Sequence, residues 1–357
     1  MSFDLRVDRP RWRAHADTVA ARSPGLVPVV KGNGYGFGPG PLLSESARLG
    51  VDLVAVGTVA DLDAVAALPR PDYPGEFLVL VPFHRFDPPV PESLAGRVVR
   101  TLGRVADVEA LAAEADGPSR PVVLEVATSM RRHGVELGEL GALAATLDAA
   151  GDRLDVRGAA VHLPLPGHAE PAAEVDATLV ALRAYDVLCS TLFVSHLTVE
   201  QTAELARTHP DTRIRLRTGT ALWLADRDAY RATATVLDVR PISRGTTYGY
   251  RARRAWWTGH LLTVSGGTAN GVATEPPGHA GSLRNRANAL AGGALDAGGR
   301  ALSPFTVAGR RRWFAEPPHM QVSMLALPDR VAPPVPGDEV GVNVGMTLTR
   351  FDRIVWG

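Results

Sequence analysis

The chain has 357 residues, 45% hydrophobic and 21% charged, and its 38 basic residues balance 38 acidic ones. These fractions are typical of a globular protein. Zero net charge predicts no nucleic-acid partner and no anionic-membrane partner, because binding either would require clustered positive charge. The single cysteine, Cys189, excludes an internal disulfide and is assigned to the core. Residues 1–9 lack the apolar segment of a signal peptide, and no apolar run approaches the roughly 20 residues of a membrane span, so we expect a cytoplasmic protein.

Short apolar runs in the first two thirds of the chain predict eight strands, at residues 27–30, 53–56, 77–81, 98–102, 122–126, 158–163, 192–197 and 214–216. Most are separated by segments with helical periodicity, at residues 11–21, 42–49, 105–115, 140–149, 172–184 and 199–208. Apolar strands alternating with helices predict a parallel sheet covered on both faces. Eight such units favour an α/β fold of the (β/α)8 TIM-barrel type, although periodicity alone does not exclude an open, doubly wound sheet.

The pattern changes near residue 230, and from residue 232 onward β-branched runs broken by Gly and Pro replace the helical periodicity. We therefore predict a barrel at residues 1–228 and a mostly-β C-terminal domain at residues 229–357. A first strand at residues 3–8 is a candidate to pair with the C-terminal domain. Residues 274–303 are rich in Ala, Gly, Pro and Asn and predict a long loop.

One of the 38 basic residues is a lysine, Lys31, and all the others are arginines. Arginine can replace lysine on a solvated surface, but not where a deprotonatable amine is needed. Lys31 ends the first predicted strand, on the face where such barrels carry out chemistry, and four glycines follow within seven residues. Its amine could form a Schiff base with an aldehyde cofactor and then act as a base. A lysine that merely reaches solvent from a strand end is the alternative.

The stretch Val-Val-Lys-Gly-Asn-Gly-Tyr-Gly at residues 29–36 resembles the cofactor-lysine motif of the alanine racemases. These are fold-type III enzymes that use pyridoxal 5′-phosphate (PLP). The resemblance spans nearly the whole chain and implies a barrel followed by a β domain, with PLP bound covalently by Lys31 and its phosphate reached by Tyr35. It also implies a small-molecule amino-acid substrate and a homodimer with shared active sites.

Further cofactor ligands are implied at other strand ends. His162 matches the family's histidine beside the cofactor ring, and Arg217 matches the arginine that donates to the pyridine nitrogen. Gly219 and Thr220 would offer backbone amides to the phosphate. Thr198 is a predicted helix N-cap with a glutamine three residues later, and the helix that starts there could bind the phosphate. A core histidine and a surface arginine are the alternatives for the first two.

Residues 125–134 resemble the family segment in which an arginine contacts the substrate carboxylate and is held by a carbamylated lysine. Arg132 matches that arginine. Glu125 stands where the lysine would be and supplies a carboxylate directly. Whether Glu125 reaches Arg132 is left open, with a plain strand-end ion pair as the alternative. Met320 matches a methionine whose backbone amide meets the substrate carboxylate. No metal site is predicted.

Racemisation needs a second proton carrier on the opposite face from Lys31, and in the alanine racemases it is a tyrosine from the partner subunit. Tyr250 occupies that position when counted from Gly245, whereas Tyr248 better preserves a Tyr-Gly pair. We prefer Tyr250; a tyrosine packed in its own core is the alternative. Thr268 replaces a second family tyrosine, so the substrate need not be alanine.

The function predicted is therefore interconversion of L- and D-amino acids by two-base proton transfer, with Lys31 and Tyr250 as the bases. A PLP-dependent decarboxylase or aldolase is one alternative. A non-catalytic PLP-binding protein derived from a racemase is the other.

Overall fold

The computed structural model describes residues 2–69, 73–114, 118–165, 171–187, 190–274 and 301–357. Within it the chain forms two compact units, one of residues 14–225 and one that combines residues 1–13 with residues 226–357. Cys189 and all but the ends of the loop predicted at residues 274–303 lie outside the described residues. No helix in the described ranges is long and apolar enough to cross a membrane.

The strands found in these ranges, in chain order, are β1 (Phe3–Val7), β2 (Val27–Pro28), β3 (Leu53–Val56), β4 (Glu76–Val79), β5 (Val98–Leu102), β6 (Arg120–Val126), β7 (Leu154–Val161), β8 (Thr191–Ser195), β9 (Arg213–Thr218), β10 (Tyr230–Ile242), β11 (Thr247–Tyr248), β12 (Arg253–Arg254), β13 (Gly259–Ser265), β14 (Leu302–Val307), β15 (Arg310–Phe314), β16 (Val322–Pro328), β17 (Glu339–Val342) and β18 (Arg353–Trp356). The α-helices are α1 (Arg9–Arg22), α2 (Pro39–Arg48), α3 (Val59–Ala66), α4 (Val105–Ala113), α5 (Leu140–Ala150), α6 (Pro171–Ala184), α7 (Val199–Thr208) and α8 (Thr220–Trp223).

Strands β2 to β9 form one parallel sheet in the order β2-β9-β8-β7-β6-β5-β4-β3. A parallel bridge between Val29 and Ala55 joins the two ends of this order, and the N–H of Val30 donates to the carbonyl of Ala55 at 2.7 Å. The predicted (β/α)8 barrel is therefore confirmed, and the open doubly wound sheet is excluded. Every residue of β3 is buried, as expected for a strand covered on both faces.

Helices follow most barrel strands, so the carboxyl ends of the strands and the loops after them form one face. A 3-10 helix at Glu92–Arg97 follows β4 instead of an α-helix. The periodicity did not predict α3 or α8. Helix α8 has only four residues, too few to show a period, and α3 is short and nearly all apolar or acidic.

The second unit contains an eight-stranded sheet in the order β13-β16-β15-β14-β17-β10-β1-β18. The long strand β10 also pairs with β13, so six of these strands close into a ring. Strand β1 lies antiparallel to β10 and parallel to β18. Phe3, Phe305 and Leu325 are among the fully buried side chains of its core.

The mostly-β C-terminal architecture agrees with the sequence prediction, but two pieces of it were not predicted. One is the hairpin of β11 and β12, whose strands have two residues each. The other is β15, which has the sequence Arg-Arg-Arg-Trp-Phe and so lacks a β-branched run.

Candidate active site

Lys31 lies just beyond the carboxyl end of β2, on the face formed by the strand ends, and its side chain is exposed there. Partial burial of the amine lowers the pKa of Lys31, and the positive charges of Arg132 and Arg217 lower it further, while Asp61 acts in the opposite direction. A lower pKa leaves more of the amine neutral near neutral pH. Only a neutral amine attacks a carbonyl or accepts a proton, so the lowered pKa favours Lys31 as a nucleophile or as a base.

Asp61 is fixed beside Lys31 by the first turn of α3. Its carboxylate accepts hydrogen bonds from the N–H groups of Gly57 at 2.9 Å and Thr58 at 3.1 Å. A Cβ added at Gly57 would stand 3.2 Å from the Cβ of Lys31, so the backbone of this turn packs closely against the lysine.

Arg217 is the last residue but one of β9 and lies inside the barrel, where 2% of its side chain is exposed. One terminal nitrogen, Nη2, donates to the carbonyl of Val161 at 2.9 Å, and Nη1 lies 3.6 Å from Oε2 of Glu125. Its third nitrogen, Nε, is buried and has no hydrogen-bond partner in the described part of the chain. Burial lowers the pKa of Arg217 and Glu125 opposes that effect, but a guanidinium titrates so high that it stays charged. Nε is therefore a charged donor with its hydrogen available.

Glu125, on β6, has Arg217 as its ion-pair partner, which answers the question left open by the sequence. Burial raises the pKa of Glu125, and the charges of Arg217 and Arg132 act against that rise. Arg132 is exposed, and among the described residues it has no hydrogen-bond or ion-pair partner. Its guanidinium is therefore available to a carboxylate from outside the chain.

His162 follows β7, and its Nδ1 lies 3.1 Å from Oγ of Ser195. Burial, reinforced by the charge of Arg217 and by further cationic neighbours, lowers the pKa of His162 to about 3. The imidazole is therefore neutral at physiological pH. A second histidine, His196, packs edge-on against it with ring centroids 4.9 Å apart, and its Nδ1 donates to the carbonyl of Leu163 at 2.6 Å.

Tyr35 and Gly219 come together where the loop after β2 meets the end of β9. Tyr35 is buried, which raises its pKa to about 12, so its hydroxyl remains a hydrogen-bond donor. A Cβ added at Gly219 would overlap the hydroxyl and ring of Tyr35. Gly219 is thus required for this approach, and it places Thr220, the first residue of α8, next to it.

Thr198 caps α7 as predicted. Its Oγ1 accepts from the N–H of Gln201 at 3.1 Å, and its own N–H donates to Oε1 of Gln201 at 2.9 Å. The amide of Glu200 and the Thr198 hydroxyl lower the pKa of Glu200, whose carboxylate thus lies at this helix end. Phosphate binding at Thr198 stays a prediction.

Two tyrosines of the second unit have opposite environments. Tyr248 is buried, its hydroxyl donates to the carbonyl of Ala315 at 2.6 Å, and its ring packs edge-on against Trp257. Tyr250 is 86% exposed. Its ring lies on that of His319 with centroids 4.5 Å apart, and its N–H donates to the buried carboxylate of Glu316 at 3.1 Å. Of the two tyrosines, Tyr250 is therefore the one that a molecule outside this unit can reach.

The segments that contain Thr268 and Met320 also lie beside Tyr250. The N–H of Thr268 donates to the carbonyl of His319 at 2.8 Å, and the N–H of Ala269 donates to that of Met320 at 2.9 Å. Met320 is 73% exposed. Tyr250, Thr268 and Met320 are thus brought together around His319. In the barrel unit, Lys31, Arg132, His162 and Arg217 form a second group, linked by the effects of their charges on one another.

Several residues of these two groups were not singled out from the sequence. Asp61 had a usable signal, because Thr58 and Asp61 form a capping-box pattern directly after a strand. The contacts of Glu316 and His319 with Tyr250 join residues more than 60 positions apart in the sequence, so no local pattern could indicate them.

The barrel and the residues on its face have known counterparts. Residues 7–226 match the sequence family described as alanine racemase, N-terminal domain. That match covers more than half of the chain. It agrees with the class of protein indicated by the barrel fold and by the residues at the strand ends. The chain belongs to the alanine racemase family.

Solved structures share the whole architecture. The chain is similar to alanine racemase from Corynebacterium glutamicum, with a TM-score of 0.70, 15% identity and 99% of each chain covered. The enzyme from Bartonella henselae, which has covalently bound pyridoxal phosphate, gives a TM-score of 0.69, 16% identity and 100% coverage of both chains. The biosynthetic enzyme from Pseudomonas aeruginosa gives 0.64, 21% identity, and coverage of 98% of this chain and 91% of its own. No curated protein sequence matches significantly.

Proposed function

We propose that this protein is a PLP-dependent amino-acid racemase that interconverts L- and D-amino acids, acting in the cytoplasm as a homodimer with shared active sites. The observation that carries the proposal is the setting of Lys31. The only lysine of the chain lies at the carboxyl end of the first barrel strand, where partial burial, Arg132 and Arg217 all lower its pKa.

The residues present fit PLP. Arg217 offers its buried and unpartnered Nε to the pyridine nitrogen, and Lys31 offers an amine to the aldehyde. Tyr35 offers a protonated hydroxyl to the phosphate, next to Gly219 and Thr220. Bound PLP would supply the electron withdrawal that makes the α-hydrogen of an amino acid acidic.

The chain's own groups would then position the amino acid and move one proton. Arg132 would hold the α-carboxylate, because its guanidinium has no partner among the described residues. The backbone amide of Met320 would reach the same carboxylate. The neutral imidazole of His162 would pack beside the ring without adding a charge.

The two proton carriers would be Lys31 and Tyr250. Lys31 would accept or return the proton on one face of the α-carbon, and the phenol of Tyr250 from the partner subunit would do so on the other face. The exposure of Tyr250 supports this role, and the burial of Tyr248 in its own unit counts against Tyr248 as the second base.

Incubation of the purified protein and PLP with each amino acid in D2O tests the proposal. We expect the enantiomer to form with deuterium at the α-carbon, detected by chiral chromatography and mass spectrometry. Lys31→Ala should abolish all exchange. Loss of CO2 or release of an aldehyde would instead indicate the decarboxylase or the aldolase. Cofactor binding without exchange for any amino acid would indicate the non-catalytic PLP-binding protein.

Subunit complementation tests the shared site. Lys31→Ala and Tyr250→Phe should each lack racemase activity. If Tyr250 serves the partner's Lys31, a mixed dimer contains one site with both bases intact and one with neither. Mixing the two variants under conditions of subunit exchange should restore up to a quarter of the wild-type activity per subunit. No recovery in a mixture shown to contain mixed dimers would contradict the shared site.

A further inference from the structure

Tyr250 lies in the turn between β11 and β12, and residues just after β15 hold this turn. The hydroxyl of Tyr248 donates to the carbonyl of Ala315 at 2.6 Å, and the N–H of Tyr250 donates to Oε2 of Glu316 at 3.1 Å. Between the two tyrosines lies Gly249, with φ 71°, where a Cβ would overlap the carboxylate of Glu316. The backbone that leads into Tyr250 is therefore fixed against Glu316.

The carboxylate of Glu316 acts on Tyr250 a second time, through His319. Only 3% of the Glu316 side chain is exposed, and its Oε1 lies 2.7 Å from Nε2 of His319. A carboxylate accepts hydrogen bonds and cannot donate, so Nε2 carries the hydrogen and the imidazole is held in one orientation. The ring of Tyr250 lies on this imidazole, with centroids 4.5 Å apart and planes inclined by 41°. One carboxylate thus fixes both the backbone of Tyr250 and the ring against which its phenol packs.

The backbone of His319 is held without help from its side chain. Its N–H donates to the carbonyl of Val322 at 2.9 Å, and its carbonyl accepts from the N–H of Thr268 at 2.8 Å. The carbonyl of Met320 accepts from the N–H of Ala269 at 2.9 Å. Replacing the imidazole should therefore leave the path of the chain at Met320 unchanged.

An exposed side chain needs such a support if it is to act at a fixed place. Tyr250 is 86% exposed, and an exposed side chain without contacts changes rotamer within nanoseconds. A general acid or base must lie within hydrogen-bond reach of the atom that it serves, and a misplacement of about 1 Å can lower a rate roughly 100-fold. The imidazole supplies the contact that restricts the phenol.

We propose that Glu316 and His319 are positioning residues for Tyr250. Glu316 aligns the imidazole, and the imidazole holds the phenol in the orientation in which it exchanges a proton with the substrate. Neither residue exchanges a proton in this role, so neither is a catalytic residue. The inference rests on the proposed function in that Tyr250 is taken as the second base.

A fluorine signal reports the setting of Tyr250 without any activity. The full-length protein, labelled with 3-fluorotyrosine and saturated with PLP, contains six tyrosines, and comparison with Tyr250→Phe identifies the signal of Tyr250. Because a stacked imidazole exerts a ring current, we expect this signal to lie away from that of free 3-fluorotyrosine. His319→Gln keeps a hydrogen-bond donor for Glu316 but removes the ring, so the signal should move towards the free position.

Kinetics of the unlabelled enzyme test the consequence for proton transfer. His319→Gln should lower kcat about tenfold or more and change KM by less than about threefold, because the backbone at Met320 is held without the imidazole. His319→Phe restores an aromatic ring but not the bond to Glu316. It should lose stability, yet recover most of kcat and keep a displaced fluorine signal in the folded protein.

Glu316→Gln tests the carboxylate itself. Its amide has one acceptor oxygen for two donors, so it should move the Tyr250 signal in the same direction as His319→Gln. The matched control is His260→Gln, because His260 is the other described histidine of the second unit and pairs within the sheet with Pro241 and Leu327. It should change neither the fluorine signal nor kcat.

An identical Tyr250 signal in wild-type and His319→Gln protein would overturn the proposal, as would an equal loss of kcat in His319→Gln and His319→Phe. A signal unmoved by Glu316→Gln would reject the part assigned to Glu316. If His319→Gln does not fold, a Tyr250 signal at the free position in His319→Phe would reject the stacking role. A wild-type protein that exchanges no amino acid would contradict the proposed function, and the fluorine comparison would still test the support of Tyr250.

Discussion

Gly219 is packed against the hydroxyl of Tyr35, so closely that a methyl group at position 219 would overlap the phenol. The two residues come from the end of β9 and from the loop after its neighbour β2. Gly219→Ala should therefore displace Tyr35. We expect at least a tenfold weaker affinity for PLP, measured by absorbance titration, and a loss of roughly 1–3 kcal/mol in the free energy of unfolding.

The control for that substitution is Gly138→Ala, since a Cβ at Gly138 meets open space. It should leave both quantities unchanged. Wild-type PLP affinity in Gly219→Ala would show that Tyr35 does not hold the cofactor.

Replacing either Tyr250 or Tyr248 by phenylalanine removes only the hydroxyl group. The structure predicts opposite consequences at the two positions. Tyr250→Phe should abolish racemisation and leave the melting temperature unchanged, because Tyr250 is 86% exposed. Tyr248→Phe should leave the carbonyl of Ala315 without its partner and cost about 1–3 kcal/mol of stability, with activity retained in the folded fraction. Chiral assays and thermal unfolding of both variants would reveal the reverse pattern if Tyr248 were the base.

Arg132 should bind the amino-acid carboxylate. Arg132→Gln is expected to raise KM about 10- to 100-fold, since a hydrogen bond to a charged group contributes roughly 1.5–3 kcal/mol. Stability should not fall, because the side chain is exposed and has no ion-pair partner among the described residues. Arg131→Gln, at the neighbouring exposed arginine, is the control. A larger rise in KM for Arg131→Gln than for Arg132→Gln would indicate that Arg131 binds the carboxylate instead.

His162 should reduce stability in acid. The unfolded chain protonates this histidine near pH 6.5, whereas the folded protein does so only near its lowered pKa of about 3. Between these values the unfolded state binds more protons, so stability falls as the pH falls. Between pH 7.5 and pH 5 the free energy of unfolding should therefore fall by about 1–2 kcal/mol less in His162→Gln than in the wild-type protein. Urea unfolding at the two pH values measures it.

His84→Gln is the control for the acid effect, because His84 lies outside the group around Lys31 and stacks on the exposed Phe86. It should not reproduce the gain in acid resistance. An equal loss of stability in His162→Gln and wild-type protein would show that the imidazole is not held neutral.

Much of the barrel could be predicted because its strands are short, apolar and separated by helices. Leu53–Val56 and Val98–Leu102 begin and end where the apolar runs do. By contrast, β7 starts at Leu154, four residues before the predicted run, because Leu154, Asp155 and Val156 already pair with β6, although Asp155 is polar and the register is irregular at Arg157. Backbone pairing, not hydrophobicity, sets that boundary.

The sequence singles out a residue whose type is chemically exceptional, but it does not indicate a contact that the fold decides. Lys31 stands out as one lysine among arginines. The pairing of Glu125 with Arg217 joins β6 to β9 across the barrel interior, whereas the sequence left open whether Glu125 reaches Arg132 and did not indicate Arg217. Tyr248 and Tyr250 differ in burial in the second unit, and their spacing in the sequence does not indicate which of them is buried.

Strand β1 lies between β10 and β18, and no other strand of the described residues pairs with β18. On the ribosome, β1 is therefore made more than 220 residues before β10 and more than 340 residues before β18, the two strands with which it pairs. The nascent protein must carry an apolar strand with both edges open while the whole barrel is synthesised. A chaperone that binds extended apolar segments therefore has more time to bind β1 than any later strand. A chain that lacks residues 1–8 would leave the second unit without the strand that joins β10 to β18.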